Sequence, residues 1–459
     1  MEIFQAKKLL KALKPALLLL LALITFAYTI PWVLSQSMSA ETYSGIDMHA
    51  YWYPGLYFRQ GVNPYAAILN NPHPNYWDPR RPGSGDPMAL PEGEYSLRLP
   101  ISFLGGEDVT SFPVTRLMIE IPSATAPLGI LLWTFSWIAW PVVRIAWAVI
   151  NILLAIMAPW FVMRLSGKED SLGNLDQWIL AFLFYNIYGL RQGIVVGQQT
   201  LLCLVLILIS LRLHKHWLFA GVLLGIALSK YSVAIPFFIF LLIYQKYRIL
   251  LTSVAVQVIG LLLLMPMKWG TPLETIKAYL KVLEVHSGQS GIQIASILPA
   301  GGISIILMGL IAIFVILLLF VRGNSGKLID IFAAEHLNKL NILILVTLLT
   351  TYHRIYDTSL TIFFFFFLMV SLMKAGNSAS RNWRVSMAGV GIISGALIMY
   401  PTFFGKIAGL AGAPQALIAW LSPEAVTTVA LLIMFAFSSL FSPRLSQEWT
   451  RSPIPGTNY

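Results

Sequence analysis

The sequence predicts an all-α, polytopic membrane protein. Three observations lead to this prediction: the composition, a first apolar run that follows a cluster of lysines, and the repeated return of apolar segments. Of the 459 residues, 57% are hydrophobic and 11% are charged, whereas soluble domains are about 25% charged. A soluble core cannot hide so many apolar side chains, so we interpret residues 1–445 as one integral-membrane domain and 446–459 as a cytoplasmic tail.

The first segment predicts a retained membrane anchor. Lys7, Lys8, Lys11 and Lys14 precede an apolar run at 15–34. A charged start followed by an apolar run also occurs in signal peptides, but about 20 apolar residues is the length of a membrane span. No small-x-small cleavage site follows, so we expect the helix to remain uncleaved.

Eleven further apolar segments follow the anchor, and we predict about 12 transmembrane helices. Several are shorter than the roughly 20 residues of a perpendicular span. Either their ends are misplaced, or these helices stop early and line a cavity at the outer face. The predicted spans are 15–34, 141–163, 177–190, 199–213, 216–229, 233–245, 248–267, 302–321, 339–351, 357–373, 384–403 and 425–441.

The net charge of +11 fits this topology. With the amino terminus inside, Lys and Arg concentrate in the inner loops, and the outer loops are balanced, as the positive-inside rule requires. Both termini are then cytoplasmic. The basic residues form no patch on a soluble domain, so we expect no nucleic-acid partner. Cys203 is the only cysteine, which excludes a disulfide within the chain and a cysteine metal cluster; we predict no metal and no cofactor.

Two long outer loops are predicted, at 35–120 and 268–301, and the second contains a surface helix at 271–285. The apolar stretch that includes 126–137 would invert every later loop if it were a span. We therefore interpret it as an interfacial or re-entrant helix on the outer side, where its tryptophans suit the membrane boundary.

Polar residues that interrupt the apolar segments cluster on the outer side. Burying ionisable groups near a bilayer costs several kcal/mol, so such residues are candidates for function. Short hydrated loops, or side chains that reach the headgroups, would also explain each of them singly. The residues are Arg191, Gln192, Gln198, Gln199, Lys230, Tyr231, His353, Arg354 and Asp357.

The densest group lies at 350–357 and contains His353, Arg354 and Asp357. Guanidinium and imidazole groups suit the binding of a phosphate, which arginine contacts with two parallel hydrogen bonds. Alternatively, Asp357 serves only to neutralise Arg354. Lys230 interrupts an otherwise apolar helix, which predicts an anionic partner, either another side chain or a ligand.

Asp47 follows the first span directly and lies among aromatic residues. An ordinary loop carboxylate is one interpretation, and a base that deprotonates a sugar hydroxyl at the membrane surface is the other. If the segment is helical, Asp47 and Tyr51 lie one turn apart on the same face. Aromatic rings here could stack on a sugar or anchor the chain at the interface.

The residues after Asp47 predict how this helix ends. Pro54 is expected to kink it or to start a second helix, and Gly61 suits its carboxyl-terminal stop. Asn63-Pro64 predicts a turn that brings Tyr65 back to the surface.

These residues resemble the start of a known enzyme family. Asp47, Tyr51 and the run Gly61-x-Asn63-Pro64-Tyr65 after the first helix are similar to the polyprenyl-phosphate-sugar glycosyltransferases of the GT-C superfamily, in particular glycosyltransferase family 87 with its polyprenol-phosphate-mannose-dependent α-mannosyltransferases. Segments 125–128 and 197–202 resemble that family's Tyr-Pro-Pro-Leu and Gly-Gln-x-Asn-x-Leu elements. A third similar segment runs from 220 to 236, and the whole resemblance covers about 40–370.

The resemblance implies an inverting transfer of mannose or a similar monosaccharide from a polyprenyl-phosphate donor to a lipid or glycan acceptor. Asp47 would be the catalytic general base at the outer face of a cell membrane, by analogy a bacterial plasma membrane, with membrane lipids as further partners. Arg191, Lys230, His353 and Arg354 are the candidates for the donor phosphate, because the leaving group needs cations. The candidates for substrate binding are Tyr51, Tyr65, Gln198 and Asp357.

A multi-pass transporter or lipid flippase is the alternative function. It would explain many spans and a polar cluster as parts of one pathway. It also predicts ionisable residues in the inner half and two similar halves of the chain. The sequence has no such halved repeat, which favours the enzyme.

Overall fold

The computed structural model describes residues 14–38, 45–59, 61–65, 125–165, 174–268, 270–287, 334–351, 353–374 and 381–451. These residues form helices joined by short turns, with no strand among them. An isolated bridge joins Val62 to Lys268. The predicted all-α fold is confirmed for this part of the chain. The loop at 66–118, the predicted span at 302–321 and residues 452–459 of the predicted tail lie outside the described residues.

The first half of the fold contains eleven described helices. A π-helical turn at Thr25–Thr29 lies inside the first, and a 3₁₀ turn at Thr134–Trp137 follows the third. The helices are α1 (Lys14–Ser37), α2 (Ile46–Arg59), α3 (Ala126–Trp133), α4 (Trp140–Leu165), α5 (Asn174–Tyr185), α6 (Tyr188–Val196), α7 (Thr200–Arg212), α8 (Trp217–Leu228), α9 (Tyr231–Ile243), α10 (Tyr247–Leu262) and α11 (Pro272–Ser287).

The second half begins after the undescribed residues 288–333. A 3₁₀ helix at Ile355–Thr361 leads directly into the second of its described α-helices. The helices are α12 (Ala334–Thr350), α13 (Ile362–Lys374), α14 (Arg381–Met399), α15 (Pro401–Leu410), α16 (Gln415–Trp420) and α17 (Pro423–Arg451).

Two described helices, α1 and α4, are long and apolar enough to cross a membrane. Two further pairs pass the same test but are bent, α5 with α6 by 58° and α14 with α15 by 83°. The described residues thus contain two such helices, or up to four if each bent pair is one span. The predicted number of twelve is not confirmed, because most of the other apolar helices have only 10–17 residues.

Helix α7 forms the centre of the core. It packs against α4, α8 and α9 and against the 3₁₀ helix at Ile355–Thr361. Cys203, Leu204, Ile207 and Leu208 on it are fully buried. Its first residue follows Gln199, so the helix that anchors the core also begins at the polar cluster.

Helix α2 packs against α3 and the turn after it. The indole of Trp52 donates to the carbonyl of Ile138 at 2.8 Å, and Arg59 donates to the carbonyl of Ser136 at the same distance. Of the two outcomes expected at Pro54, the start of a second helix was wrong, since α2 continues through Pro54 to Arg59. These side-chain bonds and the packing on α3 hold the helix together past the proline.

The end of α2 follows the prediction more closely. Gly61 has φ +70°, and the amide of Val62 bonds back to the carbonyl of Tyr57 at 3.0 Å, as at a glycine helix stop. The Asn63 side chain accepts a bond from the amide of Tyr65 at 3.1 Å, which confirms the turn. The expectation that Tyr65 returns to the surface was wrong, because its ring is 1% exposed.

A helix was predicted at 271–285, and α11 confirms it. Leu273, Ile276 and Leu280 are exposed along one side of it. The side-chain amide of Asn63 donates to the Thr275 hydroxyl at 2.7 Å, and this buried bond connects α11 to the end of α2.

Candidate active site

Asp47 lies in the first turn of α2, where the helix dipole favours a carboxylate. The start of the helix is held in place by two bonds. The amide of Gly45 donates to the carbonyl of Val195 at 2.8 Å, and the side chain of Gln199 donates to the carbonyl of Asp47 at 3.1 Å. The Asp47 side chain is half-buried. Its position is therefore set by α6 and α7 rather than by a free loop.

Gln198 connects Asp47 to Lys230. Its Nε2 donates to Oδ2 of Asp47 at 2.8 Å. Its Oε1 accepts a bond from the Lys230 ammonium at 2.9 Å and another from the amide of Gln199, also at 2.9 Å. Asp47 and Lys230, which are 151 and 32 residues away from Gln198 in the sequence, thus meet at its side-chain amide.

The backbone before Gln198 is fixed by a glycine. Gly197 caps α6 with φ +74°, and a Cβ there would lie 3.1 Å from Gly45 Cα and from Met48 Cβ. The indole of Trp147 donates to the carbonyl of Gly197 at 2.8 Å. A residue with a side chain would be strained and would push α2 away, so Gly197 permits the approach that brings Gln198 to Asp47.

Lys230 and Asp357 form a buried ion pair, with Nζ 3.7 Å from Oδ1. The Lys230 ammonium also lies over the ring of Tyr356, 4.9 Å from its centroid. Asp357 accepts hydrogen bonds from the hydroxyl of Thr200 at 2.9 Å and of Ser232 at 3.2 Å. The carboxylate is thus stabilised by three elements, α7, α9 and the 3₁₀ helix that carries it.

His353 completes this group of charges. Its Nδ1 lies 3.1 Å from Oδ2 of Asp357, and its Nε2 lies 2.7 Å from the Thr351 hydroxyl. Beside a carboxylate the facing ring nitrogen is the donor, so Nδ1 carries a hydrogen. The ring is fully buried. His353 therefore holds Oδ2 of Asp357, whereas Lys230 faces Oδ1.

The electrostatics of Asp47 suit a base at moderate pH. Burial raises the pKa of Asp47 from 3.8 to about 6. The positive charges of Lys230 and Arg354 and the hydrogen bond from Gln198 oppose this rise, and the carboxylate of Asp357 adds to it. At neutral pH the carboxylate is mainly ionised and still basic enough to accept a proton.

Arg354 is the most exposed cation of the cluster. It caps the 3₁₀ helix in an extended conformation and is only partly buried. It is close enough to Asp47 to lower that residue's pKa. Of the four cations predicted to bind phosphate, it thus combines nearness to Asp47 with accessibility.

Arg191 has different partners from the other three cations. One guanidinium nitrogen donates to the carbonyl of Met399 at 2.7 Å, and the side chain is 3% exposed. Within the described residues it makes no ion pair with a carboxylate, and aromatic rings surround it instead. Their centroids lie 5.1–5.8 Å from the guanidinium carbon and belong to Tyr28, Trp32, Tyr188 and Tyr400.

Tyr51 and Tyr65, predicted to contact substrate, are both buried. Tyr65 packs edge-on against Trp133 at 5.4 Å and against Tyr279 at 6.3 Å between ring centroids. These contacts place Tyr65 in the packing between α3 and α11. A role in binding sugar remains a prediction.

The sequence reasoning missed Thr200 and Ser232, both of which bond to Asp357. Each lies in the first turn of an apolar helix, directly after polar residues. A hydroxyl at a helix start is common, and this position alone did not distinguish them from ordinary residues. Their placement beside Gln199 and Lys230 was the available signal.

The fold and the site together define an all-helical membrane protein with a buried group of charges beside a half-buried carboxylate. Residues 126–300 match the model of glycosyltransferase family 87, which confirms the family resemblance and indicates a glycosyltransferase. The matched region contains Gln198 and Lys230, whereas Asp47, His353 and Asp357 lie outside it. The chain matches no curated protein and no solved structure.

Proposed function

We propose that the protein transfers a monosaccharide, mannose or a similar sugar, from a polyprenyl-phosphate donor to a lipid or glycan acceptor at the outer face of the membrane. Asp47 acts as the general base. The observation that carries this proposal is the half-buried Asp47 carboxylate, whose pKa lies near 6 beside the charges of Lys230 and Arg354. A base needs a pKa near the working pH, and an anionic leaving group needs cations.

The reaction is a single displacement. The acceptor oxygen forms a bond to the anomeric carbon while its proton passes to Asp47. The bond from the anomeric carbon to the phosphate oxygen breaks, and its electron pair leaves with the polyprenyl phosphate. One displacement inverts the anomeric centre. A retaining enzyme would need a second carboxylate as a nucleophile, and Asp357 is already engaged by Lys230, His353 and two hydroxyls.

The leaving phosphate is stabilised by Arg354 first. Its guanidinium is partly exposed and offers two parallel hydrogen bonds to phosphate oxygens. Lys230 and His353 are more deeply buried than Arg354 and contribute positive charge or hydrogen bonds on its inner side. Arg191 is held among aromatic rings, so it serves the phosphate only if the lipid passes α1 on its way to the site.

The family match favours an enzyme over the transporter or flippase. A transport route would need ionisable groups along its length. The buried charges of the site instead converge on one carboxylate, through Gln198 and Lys230. This convergence supports chemistry at one place in the membrane protein.

The experiment that tests this function supplies purified protein with radiolabelled sugars on polyprenyl phosphate and with a lipid extract as acceptor. Nucleotide sugars serve as the comparison donors. We expect transfer from one polyprenyl-phosphate sugar, none from the nucleotide sugars, and an inverted anomeric configuration in the product. Transfer only from a nucleotide sugar, or flux of unmodified lipid without transfer, would reject the proposal.

A further inference from the structure

The Gln198 side chain has only one orientation that satisfies its surroundings. The Lys230 ammonium and the amide of Gln199 both donate hydrogen bonds and accept none, and both lie 2.9 Å from the same end of the Gln198 amide. That end must be the oxygen, so the NH₂ group must face Asp47. The orientation of the amide is therefore fixed by chemistry, whatever the ambiguity between oxygen and nitrogen in general.

The Gln198 backbone has no freedom to swing the amide away. Its N–H donates to the carbonyl of Gly193 at 2.7 Å, and the left-handed Gly197 before it is packed against Gly45. The Gln198 residue is 3% exposed. Asp47 is thus bonded by a group that is itself held on three sides.

Only one of the two Asp47 oxygens is used in this way. Oδ2 accepts the bond from Gln198, and within the described part of the chain Oδ1 accepts no hydrogen bond. The Asp47 side chain is only half-buried, which leaves room for an acceptor to approach it. The arrangement leaves one oxygen for an incoming hydroxyl.

The far end of the connection is equally well held. Lys230 faces Asp357 at 3.7 Å, and Asp357 is in turn bonded to Thr200, Ser232 and His353. The ammonium is therefore kept at the Gln198 oxygen by the carboxylate behind it. Five side chains in a row, from His353 through Asp357, Lys230 and Gln198, end at Asp47.

We propose that Gln198 and Lys230 are positioning residues for Asp47: the lysine fixes the orientation of the amide, and the amide holds one carboxylate oxygen so that the other receives the acceptor's proton. This inference rests on the proposed role of Asp47 as the base. It gives Gln198 a different task from the direct contact with substrate that its sequence suggested. It also gives Lys230 a task that needs no donor phosphate.

The titration of Asp47 distinguishes this connection from simple packing. The charged groups facing Asp47 are Lys230, Arg354 and Asp357, and only Lys230 acts on it through Gln198. Loss of the hydrogen bond, or of the charge behind it, raises the pKa of a carboxylate by about one unit or more. Gln198→Ala removes the hydrogen bond to Asp47, whereas Lys230→Met removes the charge and also frees the Gln198 amide to turn and lose that same bond. The two shifts should therefore not add.

The test is infrared difference spectroscopy of the detergent-solubilised full chain against pH, with Asp47→Asn used to assign the Asp47 carboxyl band. We expect Gln198→Ala and Lys230→Met each to move the Asp47 titration to higher pH by about one unit. The double variant should move it no further than the larger single shift. Gln192→Ala removes a glutamine of α6 that donates to the Tyr188 hydroxyl at 3.0 Å and should leave the titration in place.

An unmoved titration in Gln198→Ala, or shifts that add in the double variant, would overturn the inference. If Lys230→Met does not fold, Gln198→Glu carries the test, because it keeps the shape and sets a second carboxylate against Asp47; a titration unchanged by it overturns the inference as well. The spectroscopy needs no substrate. If the Asp47 titration shifts as expected but no sugar is transferred, the positioning is upheld and the proposed function is refuted. If sugar is transferred but the titration does not shift, the proposed function is upheld and the positioning is refuted.

Discussion

Lys230 and Asp357 face each other at 3.7 Å, and neither depends on the other for its hydrogen bonds. The ammonium donates to Gln198, and the carboxylate accepts from two hydroxyls and His353. Each ion is thus hydrogen-bonded by its own neighbours, and the two ions only balance each other's charge. Such a pair holds the elements of the site together and is expensive to break from one side.

Asp357→Asn should lower the free energy of unfolding by about 3–5 kcal/mol, because it leaves Lys230 buried without a counter-charge. The matched control is Asp176→Asn. Asp176 is buried, but its partner Lys14, at 2.6 Å, has a side chain that is 27% exposed. Water can therefore hydrate the lysine that the substitution leaves behind, and the loss should be only about 1 kcal/mol. Denaturant titrations in detergent measure both. Equal losses of stability would mean that the Lys230–Asp357 pair is no more important to the fold than the Lys14–Asp176 pair, whose lysine reaches solvent.

The rate of transfer should depend on the ionisation of Asp47. Burial raises the pKa of this carboxyl to about 6, and a general base must be ionised, so activity is present above that pH and lost as the pH falls through it. Initial rates should fall about tenfold for each pH unit below the pKa. Rates measured in mixed buffers of constant ionic strength give the profile. A profile flat down to pH 4 would remove Asp47 from the rate-limiting proton transfer.

Gly197→Ala should reduce both stability and transfer. The left-handed backbone costs a non-glycine residue about 1–2 kcal/mol, and the new methyl would meet Gly45 and Met48 at 3.1 Å. Gly61→Ala is the matched control, because Gly61 has φ +70° with nothing within 4 Å of an added Cβ. We expect the same strain in both variants but a loss of activity beyond that of Gly61→Ala only at Gly197. Thermal unfolding and initial rates, taken together, separate the two effects.

If the Arg354 guanidinium contacts the leaving phosphate as proposed, Arg354→Ala should raise KM for the donor by about tenfold or more while KM for the acceptor changes little. Arg354→Lys keeps the charge but not the paired hydrogen bonds and should fall between wild type and alanine. Initial-rate kinetics with each substrate varied in turn provide the test. If both KM values rise alike, Arg354 is structural.

Much of the site could be predicted from the sequence because buried charges are rare in apolar helices. Lys230, His353 and Asp357 stood out for that reason, and the structure brings them together with Gln198 beside Asp47. Their individual partners could not be predicted. Which donor meets which acceptor depends on the packing of α6, α7 and the 3₁₀ helix, and sequence spacing does not carry that information.

The predictions that were wrong share a physical cause, since tertiary packing overrode a local signal. Pro54 usually ends a helix, but contacts of α2 with α3 carry the helix past it. Tyr65 was expected at the surface and is buried against Trp133. The neighbours of Arg191 were not predicted either: rings of α1 and of Tyr400 surround it, and its role at the donor phosphate stays a prediction. Nothing in the local sequence indicated those neighbours.

The most direct test of the account compares transfer by wild type, Asp47→Asn and Asp176→Asn in the same detergent with the same polyprenyl-phosphate sugar. Asparagine keeps the shape of Asp47 and can still accept the bond from Gln198, so folding should be retained. We expect Asp47→Asn to lose transfer by a factor of about 10³ or more, and Asp176→Asn to retain it. Transfer by a folded Asp47→Asn protein at the wild-type rate would contradict the assignment of Asp47 as the base.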